Sequence, residues 1–321
     1  MESTGFPQIP EERMRQLLEP PKGPAVHMVL DTDTANEVDD QFALVYAMLS
    51  PRLRVEAIHA APFHGAEKFS LGPGDGMQRS YDEILRLLGY LGIPSEGLAF
   101  KGSDRWLGSV DEPVRSDAAE DLIAKARAPR RGPLYVVTIG APTNVVSALL
   151  MAPDIADKIV VVWLGGEPEP PWYRVNDDLN MTEDFLASQA LFSCGVPLVQ
   201  FPCHNVTELL GVSLPELAIY VKGKGRVGDY LYQVFEDHLP NHYARTRSLV
   251  DIACIVYVSN PDWQYSEIIP APRLLDDGTY GPGLAGGHLM RRAFHLSRDA
   301  IYEDFFTKLD HFAKLPGRSS R

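Results

Sequence analysis

Short apolar runs alternate along the chain with stretches whose apolar residues recur at helical spacing. The runs at 26–30, 55–61, 98–100, 134–139, 159–164 and 198–201 read as strands. Those at 134–139 and 159–164 are close to continuous, as expected for a sheet covered on both faces. Helical spacing predicts helices over 40–50, 80–91, 117–126, 145–151, 183–192, 214–220, 230–239, 250–259 and 299–309. In 80–91, Ile84, Leu87, Leu88 and Leu91 share one face. Ser116 stands at an N-cap position, with acids in the turn that follows. Strands and turns are expected over 268–294.

Alternating strands and helices, with no repeat and no linker, imply an α/β fold: a single domain with a mostly parallel open sheet and helices on both faces. Residues 1–24 are polar and proline-rich and read as an N-terminal extension, 25–310 as the domain, and 311–321 as a C-terminal tail, frayed from Pro316. Ligands of such sheets bind beyond the carboxyl ends of strands, where the strand order reverses. The residues that follow strands here are 31–40, His64, 139–144 and 167–180.

The first of these stretches is the densest in charge. Asp31, Asp33, Glu37, Asp39 and Asp40 crowd between a strand and a helix. Like charges at short range raise each other's pKa, and a bound cation relieves them. Oxygen ligands favour calcium or magnesium. The alternative is an acidic helix N-terminus, stabilised by capping and by the helix dipole. That accounts for Asp39 and Glu37, but not for Asp31 and Asp33 at the strand end.

Bulk properties narrow the partners. The 321 residues carry a net charge of −13, spread along the chain. Nucleic acid is disfavoured, because phosphate binding needs clustered Lys and Arg. The three cysteines, Cys194, Cys203 and Cys254, lack metal spacing and suggest buried thiols in a reducing compartment. No basic-then-apolar leader and no bilayer-length apolar run stand out, so a soluble cytoplasmic protein with no membrane partner is expected.

Four segments together resemble one family. Asp31-Thr32-Asp33, followed by Asp39-Asp40, resembles a D-x-D-P-G-x-D-D loop, although it is longer and lacks the Pro-Gly. Ile139-Gly140-Ala141-Pro142-Thr143-Asn144 resembles T-G-P-L-T-N. Asp178-Leu179-Asn180 before Asp184 resembles E-F-N before D-P-E-A. Val250-Asp251-Ile252, with Asn260-Pro261 further on, resembles a late H-D-P-L-A helix. The order and the motifs are those of the nucleoside hydrolases, calcium-dependent N-ribohydrolases of the inosine–uridine-preferring type.

The resemblance implies hydrolysis of a small-molecule ribonucleoside to free base and ribose, with Ca2+ as cofactor and a homodimer or homotetramer as the assembly. It implies that Asp33 is both a calcium ligand and the base that takes a proton from a metal-bound water. Asp40, the backbone carbonyl of Ile139 and Asp251 are the other implied ligands. Asp39, Asn180 and Asp178 are implied to hold the ribose hydroxyls, and Asp31 to be a buried support for the loop. The residue types suit the chemistry on their own account. Breaking an N-glycosidic bond builds positive charge on the ribose ring, which carboxylates stabilise. Calcium acidifies water weakly, so a neighbouring carboxylate base is needed.

Three departures bear on the leaving-group acid. Val250 stands where purine-tolerant members carry a His, His64 stands where the family has an Asn, and the 102–113 loop has no His. His64 is the first candidate acid, ahead of His204, His242 and Tyr243; a structural or ribose-contacting histidine is the plainer alternative. Trp172, in a proline-rich loop, is a candidate to stack on the base. The glycine-rich 69–76 stretch lacks a phosphate-loop ending and reads as a lid. Arg245 and Arg247 read as partners of nearby acids rather than anion binders. Two other functions compete with hydrolysis of nucleosides. One is a calcium-dependent nucleoside- or sugar-binding protein without activity, which Val250 keeps open. The other is a D-x-D phosphohydrolase, which leaves Asp39 and Asp40 without a task.

Overall fold

The apolar strands pair side by side into one eight-stranded sheet. In the computed structural model, which describes residues 6–65, 70–168, 178–283 and 287–316, its strands are β1 (Val26–Thr32), β2 (Leu53–Ala60), β3 (Ala99–Lys101), β4 (Leu134–Thr138), β5 (Ile159–Leu164) and β6 (Leu198–Phe201), followed by two late strands. Two short ribbon strands, β7 (Gly211–Val212) and β8 (Arg247–Ser248), pair antiparallel outside it. The late strands of the main sheet are β9 (Gln264–Pro270) and β12 (Leu289–Leu296), with a small hairpin, β10 (Arg273–Leu274) and β11 (Tyr280–Gly281), between them. The order is β3-β2-β1-β4-β5-β6-β12-β9. Neighbours are parallel except β9, which runs antiparallel to β12 at the edge.

The near-continuous apolar pattern has a direct cause. Val137, Val160 and Val162 pack into one core layer, and Val136, Val161 and Trp163 into the other. Alternate side chains of each central strand are therefore both covered. One layer is built from α1 (Glu11–Leu18), α2 (Asp39–Leu49), α3 (Pro73–Leu91), α8 (Leu214–Tyr220), α9 (Gly225–His238), α10 (Ile252–Ser259) and α11 (Arg298–Ala313). The other holds α4 (Asp117–Arg127), α5 (Thr143–Met151) and α7 (Phe185–Ser193), with the short α6 (Leu179–Glu183) leading into it. No helix among the described residues is long and apolar enough to cross a membrane.

The chain runs outward from β1 to β3 and then returns to place β4 against the other edge of β1. The carboxyl ends of β1 and β4 therefore flank the switch point, where open sheets of this kind bind ligands.

Three expectations need correction. The helix expected from 80 begins at Pro73, so residues 73–76 are a helical turn and not a lid. Pro73 suits the first helical position, and Gly76 is required because a side chain there would meet the Phe63 carbonyl oxygen at 1.9 Å. The single helix expected over 183–192 is two, broken at Asp184. The Asp184 carboxylate caps α7 by accepting Ala187 N (3.1 Å), and it also accepts Leu107 N (2.9 Å) and Thr143 Oγ1 (2.6 Å), long-range demands that override local helix propensity. The helix expected from 230 starts at Gly225.

The N-terminal stretch is docked. Met14, Leu17 and Leu18 are buried in the same layer as α10. The Leu18 carbonyl accepts Arg291 Nε at 2.5 Å and Tyr257 Oη at 3.3 Å. Leu18→Ala is expected to cost about 2–5 kcal/mol of folding stability, the usual range for a leucine deleted from a packed core. Urea unfolding measures it, and an unchanged midpoint would mean that α1 is not packed in solution.

Candidate active site

The site is assembled from strand ends. β1 carries Asp31, fully buried, into the sheet. Its Oδ1 accepts Thr138 Oγ1 (3.0 Å) from β4 and its Oδ2 accepts Asn144 Nδ2 (2.8 Å) from α5. Burial raises its pKa, and nearby His59 opposes the rise. Asp31 thus ties the end of β1 to β4 and α5. Thr32 Oγ1 then donates to Asp40 Oδ1 at 2.5 Å.

The loop that follows is held by its own side chains. Asn36 Nδ2 donates to Asp33 Oδ2 at 2.7 Å, and Ala35 sits at φ 89°, a left-handed value unusual for a residue with a Cβ. This turn stands in place of a Pro-Gly. The α2 helix starts at Asp39, so Asp39 and Asp40 lie in its first turn, where the dipole favours negative charge. Asp251 arrives at the N-cap of α10. Its neighbour Val250 donates its backbone N–H to Asp39 Oδ2 at 3.2 Å, leaving the buried Asp39 Oδ1 without a hydrogen-bond partner among the described residues.

Asp39, Asp40 and Asp251 bring one carboxylate oxygen each within 4.8 Å of one another. Asp33 faces the same space beside Gly140, where a Cβ would lie 2.9 Å from Asp33 Oδ1. Burial raises the pKa of all four carboxyls; the charges of the others raise Asp40 and Asp251 further, Glu37 and Asp39 raise Asp33, and Glu37 raises Asp39 against the opposing Arg247. The Ile139 carbonyl accepts Asn180 Nδ2 at 3.0 Å, and the same amide donates to Leu164 O at 3.0 Å. Asp178 caps α6, its Oδ2 accepting Met181 N (2.9 Å) and Gly166 N (2.8 Å). Burial pushes its carboxyl up to about 7.

Asp33, Asp39, Asp40, Ile139, Asp178, Asn180 and Asp251 all line one cavity of about 170 Å³. His64 is not among the lining residues. The residue is exposed, with Nδ1 2.8 Å from Ser70 Oγ. Trp172 lies outside the described residues. His204 pairs through Nδ1 with Glu167 Oε1 at 2.6 Å. His242 Nε2 lies 2.8 Å from the Glu236 carbonyl, and Tyr243 is exposed. Arg247 pairs with Glu37 at 2.9 Å and stands 3.7 Å from Asp39 Oδ1.

The sequence alone did not single out Asn36, Cys203 and Glu183. Asn36 and Cys203 line the cavity. Cys203 had a signal in its place just after β6. A larger cleft of about 480 Å³ opens between α8 and α11, but Lys224 and Arg298 there are paired with Asp310 and Glu216.

The family model for inosine-uridine preferring nucleoside hydrolases matches residues 28–281, and the chain belongs to that family. The pyrimidine-specific ribonucleoside hydrolase RihA of Salmonella typhimurium is 28% identical over 193 residues, covering 54% of this chain and 59% of that one. The RihA of Klebsiella pneumoniae matches with the same figures, so the alignment spans under two thirds of these relatives' length. Solved structures agree in fold over more of the chain. A plant nucleoside hydrolase superposes with a TM-score of 0.70 at 20% identity, covering 89% of this chain and 99% of that one. A purine-preferring ribonucleoside hydrolase from Gardnerella vaginalis gives 0.67 at 20%, covering 90% and 99%. The family is metal-dependent, and the carboxylate cluster falls where its motifs meet.

The raised carboxyls have a consequence for stability. A folded pKa above the unfolded value means that the folded chain binds more protons. Stability from such a group is full below 3.8 and lost as pH rises through the folded value, about 7 for Asp178. In chelator, folding stability is expected to fall by on the order of a few kcal/mol from pH 5 to pH 8, and the thermal midpoint with it. A divalent cation bound at the cluster should reduce that fall, so the gap between the cation-loaded and chelator midpoints widens with pH. A gap independent of pH would contradict the cluster as a cation site.

Proposed function

We propose that this chain hydrolyses the N-glycosidic bond of a ribonucleoside, releasing free base and ribose. The observation that supports this best is the convergence of Asp33, Asp39, Asp40 and Asp251 on one small cavity in a chain of this family. The donor set is all oxygen and includes a backbone carbonyl, and beside it the buried Asp39 Oδ1 has no hydrogen-bond partner among the described residues, only Arg247 at 3.7 Å. It fits a hard divalent cation, and calcium in particular, whose coordination sphere has room for sugar hydroxyls beside protein ligands.

Asp33, Asp40, the Ile139 carbonyl and Asp251 hold that cation. When bound, it offsets the carboxylate repulsion, acidifies a water and grips a sugar diol. Asp33 accepts the proton of the attacking water. Asp39, Asn180 and Asp178 hold the ribose hydroxyls and so orient the anomeric carbon toward Asp33. The surrounding carboxylates stabilise the positive charge that develops on the ring. Asp31 keeps the loop in register. His64 and Trp172 are the candidate substrate contacts, Trp172 by stacking on the base.

Ribose release across a panel of purine, pyrimidine and modified nucleosides tests this directly. Turnover abolished by chelation and restored by calcium is expected. Asp33→Ala should lower kcat by roughly 10²–10⁴, the range for loss of a general base. Calcium-linked stabilisation by ribose with no hydrolysis of any nucleoside would instead make the chain a binding protein. Asp40→Ala and Asp251→Ala should each lose calcium binding by titration calorimetry. Stoichiometric calcium retained in either variant would sink the ligand assignment.

A further inference from the structure

The proposed reaction lacks one part. The departing base needs a proton, and Val250, which lines the cavity, has none to give. Glu183 is placed to supply it. It closes α6, the short helix that also carries Asn180. Residues three apart on a helix share a face, so Glu183 lies on the face of the cavity-lining Asn180.

Its carboxyl also meets the loop after β2. Glu183 Oε1 accepts the backbone N–H of His64 at 3.1 Å. Gly65 fits between Glu183 and the cavity-lining Asn36: a Cβ there would stand 3.5 Å from Glu183 Oε1 and 3.3 Å from Asn36 Oδ1. The other oxygen, Oε2, is buried and has no hydrogen-bond partner among the described residues. A buried polar atom left without a partner is costly, and in a site it marks a group kept for a ligand.

We propose that Glu183 is the general acid that protonates the leaving base. This rests on the hydrolase reading above. The C1′–N bond breaks and its electron pair stays with the base, which takes the proton from Glu183 Oε2–H. The water oxygen bonds to C1′ and gives its proton to Asp33. Solvent then returns a proton to Glu183 and removes one from Asp33.

The surroundings keep Glu183 protonated near neutral pH. Burial is the largest cause, followed by the facing charges of Asp33, Glu37 and Asp178, and together they push the carboxyl up to about 8 against the opposing His64 N–H bond. A cation beside Asp33 weakens the charge effect and leaves the burial. His64 is less well placed, exposed and with Nδ1 beside Ser70.

The test compares two leaving groups. Glu183→Gln keeps the bond to His64 N–H but cannot donate an acidic proton. On inosine and uridine its kcat should fall by about 10²–10⁴, the range for a lost general acid. On p-nitrophenyl riboside, whose nitrophenolate leaves without protonation, it should turn over like the wild type, which also shows that the variant folds. Equal loss on both substrates, or loss on neither, would overturn the assignment. So would His64→Gln giving the selective loss while Glu183→Gln does not. A wild type that cleaves neither substrate removes the hydrolase reading, and this inference with it.

Discussion

The repulsion among buried carboxylates at the carboxyl ends of β1 and β4 is the constraint on which the rest of the site depends. Asp33, Asp39, Asp40 and Asp251 come from both ends of the chain and meet where water is largely excluded. Left alone they oppose folding, since burial and mutual charge both disfavour ionisation. The fold nonetheless commits large apolar surfaces to holding them there. The α10 helix is buried along its whole length, which fixes Asp251 at its N-cap. The first turn of α2 presents Asp39 and Asp40 with its dipole behind them. Asp31, tied to Thr138 and Asn144, locks β1 against β4 beneath the cluster. A scaffold that holds like charges this close is what the proposed cation site needs.

The departures from the family pattern form a connected set. The longer acidic loop supplies Asn36, which holds Asp33, and Glu37, which pairs with Arg247. Arg247 in turn stands near Asp39 and so balances part of the cluster's charge. Val250 gives its backbone N–H to Asp39 where a side-chain proton donor is absent. On the proposal above, the charge-balancing and proton-transfer groups lie in the loop after β1 and in α6, where Glu183 stands, rather than on the late helix.

Much of this was legible in the sequence, for physical reasons. β5 and β6 begin and end where the apolar runs do, because buried parallel strands admit few polar residues. The helix after Ser116 was readable because its cap is local, with the Ser116 hydroxyl accepting Ala119 N. The acidic loop was legible because so much charge at a strand end demands a partner. What escaped was set by distant contacts. The first turns of α3 are glycine-rich and weakly helical by propensity, and form because they pack on the Phe63 backbone. Asp184 breaks its helix for the sake of Leu107 and Thr143. Glu183 bears no motif; only the approach of His64, Gly65 and Asn36 gives it a neighbourhood.

The central claim is that these carboxylates hold one cation against a ribose. A crystal grown with calcium and ribose, with anomalous scattering used to locate the ion, tests it most directly. One calcium touching Asp33, Asp40, the Ile139 carbonyl and Asp251, with two ribose hydroxyls completing its shell, is the predicted result. A cavity without calcium at saturating concentration, or an ion bound away from Asp40 and Asp251, would contradict it.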